Sequence, residues 1–123
     1  VVTRLAADLD IPIEVIGCPT IREDDGLAMS SRNLLLSDRA RVYAPVLHDV
    51  MQTMAEGLRS GSDIEALLPD ALKRLDMAGF TRVDYLELRA AHDLQILERA
   101  DVPGRLFAAA WLAGVRLIDN IAV

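Results

Sequence analysis

Apolar residues at Val1, Val2, Leu5, Ala6 and Leu9 share one helical face. No capping residue precedes them, so the segment reads as the tail of a helix that starts upstream, in a chain that is a piece of a longer one. Ile11 to Ile16 follows with the β-branched cluster Ile13, Val15 and Ile16 and predicts a buried strand, closed by Gly17-Cys18-Pro19-Thr20. Helix, short link and strand form the back half of a βαβ unit. Ile21 to Asn33 has neither helical nor strand period and holds Gly26; it reads as a long loop. From Asp38 to Arg59 the apolar positions Val42, Tyr43, Val46, Leu47, Val50, Met51, Met54 and Leu58 predict a helix, N-capped by Ser37 and kinked or split at Pro45. Ser62 and Glu65 have capping-box spacing, opening a second helix through Ile64, Leu67, Leu68, Ala71, Leu72 and Leu75 that ends at Gly79.

Near residue 80 the period falls from about 3.6 to 2. Thr81 to Ala90 reads as a strand with Val83 and Tyr85 on one side and Leu86 and Leu88 on the other. Arg105 to Leu112 is a second strand, although its three alanines leave a helix open, and Val115 to Ile118 is a third beyond a turn at Gly114. Strands without helical crossovers pair antiparallel. The expectation is an α+β domain over 37–123, two helices on a small antiparallel sheet of about three strands, preceded over 1–36 by the end of an α/β domain.

Composition narrows the function. The 123 residues are 52% hydrophobic and 26% charged, which excludes a disordered chain. The longest apolar run, Leu106 to Val115, is half what a membrane helix needs, so no membrane partner is expected. A formal charge of −6 argues against nucleic acid as partner. The single cysteine, Cys18, supports neither a disulfide framework nor a zinc site, and no metal-binding residues are assigned. The chain reads as cytoplasmic.

The candidate chemistry lies in the loop. Open α/β sheets bind ligands beyond the carboxyl ends of their strands, where Met29-Ser30-Ser31-Arg32-Asn33 follows. Two hydroxyls and a guanidinium suit phosphate oxygens. His48 reads as a partly exposed helix residue, Cys18, Trp111 and Phe107 as core, and His92-Asp93 as a turn. Arg22, Glu23, Asp24 and Asp25 read as a solvated loop, with magnesium binding as the other option. Arg116, Asp119 and Asn120 read as ion pairs and turn hydrogen bonds.

Pro19-Thr20-Ile21-Arg22-Glu23, Asp25-Gly26-Leu27-Ala28-Met29-Ser30-Ser31-Arg32-Asn33 and Leu36-Ser37, followed much later by Val115-Arg116-Leu117-Ile118-Asp119-Asn120, resemble the signature of the pantoate–β-alanine ligase family, C-terminal part only. The resemblance implies a nucleotidyltransferase-superfamily ligase. Such an enzyme joins ATP, with Mg2+, to pantoate as pantoyl adenylate, releases pyrophosphate, and lets β-alanine displace AMP to give pantothenate for the coenzyme A pathway. It implies that residues 1–36 end a Rossmann-like domain, that Ile21, Met29, Ser30, Ser31 and Arg32 bind ATP, and that the protein is a homodimer. The family's His-x-Gly-His, Gly-Lys-Asp-Tyr and pantoate-binding glutamines are not among these residues, so no catalytic residue is expected on this chain, which alone should be inactive and carry a poorly ordered loop over 21–36. Two other readings stay open: a non-catalytic α+β assembly domain, and part of another adenylyl or cytidylyl transferase.

Overall fold

The computed structural model describes residues 1–123. Helix α1 (Val2–Asp8) leads into an irregular stretch and a 3-10 turn (Ser31–Leu35). Then come α2 (Asp38–Tyr43), α3 (Val46–Arg59), α4 (Ile64–Met77), β1 (Phe80–Ala90), β2 (Ile96–Leu97), β3 (Gly104–Leu112) and β4 (Val115–Ala122). The four strands form one antiparallel sheet in the order β2-β1-β3-β4. Helix α3 packs against β3 and β4, and α4 against α3 and β1. Helices α3 and α4 cover one face of the sheet, so the expectation of two helices on an antiparallel sheet holds, with a short fourth strand added.

The pattern explains the packing. Ser37 Oγ accepts the Ala40 N–H, and Pro45 divides the predicted long helix into α2 and α3. Leu47, Val50, Met51, Met54, Ala55 and Leu58 of α3 are all buried. They meet Leu106, Ala108 and Ala110 of β3, which are fully enclosed, so methyl-sized residues let the helix come close to the sheet. The β3–β4 hairpin closes through Ala113 and Gly114, both at positive φ (49° and 80°), the backbone of a type I′ turn.

Several expectations need correction. Ile11 to Ile16 is not a strand; no strand of this chain pairs with it, and a strand exists only as a ladder with a neighbour. Ile13 and Ile16 stand exposed, and so does Cys18, which is not a core residue. The capping box at Ser62 does not form; the N-cap is Asp63, without a side-chain cap, and the Ile64 N–H is taken by the Glu98 carbonyl. In β1, Val83 pairs with Ala110 but Tyr85 with Ala109, so Asp84 is an extra residue in a bulge. That bulge puts Val83 and Tyr85 on opposite faces. Phe107 and Trp111 are not in the helix-covered core, because Leu106, Ala108, Ala110 and Leu112 take the inward positions.

Candidate functional site

Residues 21–29 fold back on themselves. Arg22 and Ala28 form an antiparallel bridge, the Met29 N–H donates to the Ile21 carbonyl (2.9 Å) and the Glu23 N–H to that of Leu27 (2.8 Å). The tip turns at Gly26, φ +90°, a conformation that favours glycine. Asp25 accepts the Leu27 N–H, and its other carboxylate oxygen receives Arg41 of α2 at 2.6 Å. That guanidinium holds the Asp25 carboxyl below its usual range. Leu27, Asn33 and Leu36 are buried. The loop is therefore not poorly ordered: α3 and the edge strand β4 supply its packing within the chain.

The hairpin delivers the Ser-Ser-Arg segment. Ser30 N-caps the 3-10 turn, its Oγ accepting the Arg32 N–H at 3.2 Å, so its hydroxyl hydrogen stays free to donate. The Asn33 amide donates to the Ala28 carbonyl at 3.0 Å, tying the turn to the hairpin. Arg32 is exposed and enters none of the ion pairs.

A cleft of about 390 Å3 runs between this segment and the sheet edge. Met29, Ser30 and Arg32 line one wall; Phe107, Arg116 and Asn120, from the open face of β3 and β4, line the other. Asp84 in the β1 bulge receives Arg116 at 2.6 Å, Arg82 at 2.8 Å and the Trp111 indole N–H at 3.0 Å. These donors, Arg116 first, keep its carboxyl below the ordinary carboxylate range. Arg82 also lies 4.6 Å above the Trp111 ring.

At the base of the cleft Asp119 is nearly enclosed, its side chain 3% exposed. Arg22 grips it with two bonds, Nη1 to Oδ2 at 2.7 Å and Nη2 to Oδ1 at 2.9 Å, and His48 Nδ1 stands 3.3 Å from Oδ2. A Cβ at Gly26 would lie 2.8 Å from His48 Cδ2, so the hairpin tip rests directly on the imidazole.

Of the expected ATP ligands, Met29, Ser30 and Arg32 face the cleft; Ser31 and Ile21, whose side chain is exposed, do not line it. Arg22 is not solvated, and His48 is largely covered. The cluster they form with Asp119 was missed as a unit, although a signal existed. Val115, Leu117, Asp119 and Ile121 share the inward parity of β4, and a carboxylate there requires a buried partner. Asp119 and Arg116 do make the ion pairs expected of them. No three His, Cys, Asp or Glu side chains converge as a metal site.

The fold and the cleft define an α+β lobe that presents a hydroxyl-and-guanidinium loop at the edge of its sheet. The chain belongs to the pantoate-beta-alanine ligase family, whose model matches residues 1–122. It is 67% identical over its whole length to a pantothenate synthetase of Roseobacter denitrificans, covering 43% of that protein, and 55% identical to one of Ruegeria sp., covering 44%. Among solved structures it superposes on a Thermus thermophilus pantothenate synthetase with a TM-score of 0.87 at 38% identity, matching 98% of this chain and 44% of the other. A pantoate-beta-alanine ligase from Francisella tularensis, solved with beta-gamma ATP and β-alanine, gives 0.66 at 26%, covering 98% of this chain and 37% of that one. The chain thus spans less than half the length of the relatives it matches. No helix is long and apolar enough to cross a membrane.

Proposed function

We propose that this chain supplies one wall of the nucleotide site of a pantothenate synthetase. The protein that carries it activates pantoate with MgATP as pantoyl adenylate and transfers the acyl group to β-alanine, releasing pyrophosphate and AMP. The observation that supports this best is the Ser30–Arg32 wall: a free hydroxyl donor and an unpaired guanidinium, held by a fixed hairpin, in a chain of this family. In this reading Arg32 neutralises phosphate charge and Ser30 donates to the phosphate oxygens, with Ser31, outside the cleft lining here, beside them, while Met29 and the Ile21 backbone border the nucleoside. Mg2+ arrives with the ATP phosphates as part of the substrate.

Residues 1–36 close a Rossmann-like domain and 37–123 form the α+β lobe over it. The exposed apolar residues of α1 and of 11–16 are the surface that the Rossmann-like domain covers. The protein works in the cytoplasm as a homodimer, and its partners are its small-molecule substrates. The chemical step needs groups outside these residues, so the chain alone makes no pantothenate.

Phosphoryl chemistry depends on charge placed where it develops. Arg32→Ala in the whole protein should cost about 2–4 kcal/mol in the transition state of adenylate formation, by analogy with a lost oxyanion donor. The check is the rate of pyrophosphate release at saturating ATP; an unchanged rate overturns the reading. For the chain alone, calorimetry with MgATP should detect no low-micromolar binding, because two or three hydrogen bonds of about 0.5–1.5 kcal/mol each do not offset lost translational freedom.

A further inference from the structure

Three groups from three distant segments meet beneath the cleft: Arg22 of the hairpin, His48 of α3 and Asp119 of β4. Burying a carboxylate is costly unless it is paired and hydrogen-bonded. Asp119 is both, through the Arg22 fork and the Asn120 N–H at 2.7 Å. The Arg22 guanidinium also donates to the Gly26 carbonyl at 3.0 Å, so one side chain ties the hairpin tip to β4. Its backbone is bridged to Ala28, one residue before Met29, and the Ala28 carbonyl holds Asn33 beyond Arg32. A shift of Arg22 therefore moves both ends of the Met29–Arg32 segment. The imidazole of His48 forms the seat under Gly26, with no room for a side chain between them.

We propose that Asp119 is a positioning residue. Through Arg22, and against the seat formed by His48, it fixes the backbone of Met29–Arg32 in one conformation before any ligand arrives. The role of that segment toward ATP rests on the function proposed above; the positioning does not. Asp119 itself acts on no ligand in this account. A preformed loop spares the ligand the ordering cost that a mobile one imposes.

The test uses the whole protein that carries this chain, with two variants. Asp119→Asn keeps the shape and removes the charge; Arg22→Lys keeps the charge and removes the fork, and it carries the test if Asp119→Asn does not fold. Amide hydrogen exchange over 26–33 is compared with exchange in α3 and β3. Both variants should speed exchange of the loop by about tenfold or more while leaving the α3 and β3 amides slow, since local opening is separable from global unfolding. KM for MgATP should rise severalfold in parallel. Loop exchange equal to that of the unmodified protein, or core amides that exchange as fast as the loop, overturns the proposal and leaves Asp119 merely structural. Faster loop exchange with unaltered ATP kinetics supports the positioning and instead overturns the nucleotide reading of the loop.

Discussion

Two carboxylates, one on each face of the same sheet, gather arginines in different ways. Asp119 points inward from β4, nearly enclosed, and takes a two-bond fork from Arg22 across 97 residues of chain. Asp84 points outward from the β1 bulge, with its side chain 24% exposed, and takes one contact each from Arg82 and Arg116 and a Trp111 indole N–H shared between its two oxygens. Counting arginines would rank Asp84 first. Burial reverses that order. Water screens the outer cluster and competes for its hydrogen bonds, whereas the inner pair has lost most of its hydration and depends on its partners.

The largest effect should come from Asp119→Ala. It leaves the Arg22 guanidinium partly buried without its carboxylate and should cost about 3–5 kcal/mol, the range for breaking a buried pair. Urea unfolding at neutral pH measures it, and a loss below about 1 kcal/mol would place this pair with exposed ones.

Gly26→Ala comes next. The left-handed backbone and the contact with His48 together should cost about 1–3 kcal/mol. Urea unfolding of the same change in a His48→Ser background separates the two parts: removing the ring relieves the steric part and leaves the backbone part.

Asp84→Asn should have the smallest effect. At neutral pH it should lower the unfolding midpoint slightly, and 0.5 M salt should erase most of that difference. The sign with pH is set by the depressed carboxyl: its stabilising contribution is present above the ordinary value of about 4 and disappears as the pH falls through the folded-state value. The gap between variant and parent should therefore be present at pH 7 and close in acid. A gap that widens in acid would contradict the ion-pair account.

The same contrast shows what was legible in the sequence. Helical and strand periods placed α3, α4, β1, β3 and β4 because those elements bury their apolar faces within this chain. The Ser-Ser-Arg loop stood out because hydroxyls beside a guanidinium suit phosphate oxygens, but many surface loops carry the same residues, and its part in nucleotide binding rests on the function proposed above. Ile11 to Ile16 misled because its β-branched run calls for a ladder neighbour, and no strand beside it is supplied by these residues. Phe107 and Trp111 misled because hydrophobicity alone does not tell the helix-covered face of a sheet from the open one; the parity of their neighbours does. Arg22, His48 and Asp119 lie in three separate segments, and no local pattern links them. Only the inward phase of Asp119 announces that a partner is needed.

The 97-residue separation between Arg22 and Asp119 also has a kinetic consequence. The β3–β4 hairpin closes through two residues, and α3 and α4 are consecutive, so these contacts form early at little loop-closure cost. Joining Arg22 to Asp119 costs roughly 2–3 kcal/mol more in chain entropy than closing a tight hairpin. During synthesis, moreover, Arg22 is made long before its partner strand. The lobe accordingly condenses first around α3 and the sheet, and the hairpin docks onto β4 afterwards. The cleft is the last part of the lobe to assemble and the first to come apart, so transient proteolysis at the arginines of 22–32 should precede any cleavage within the core.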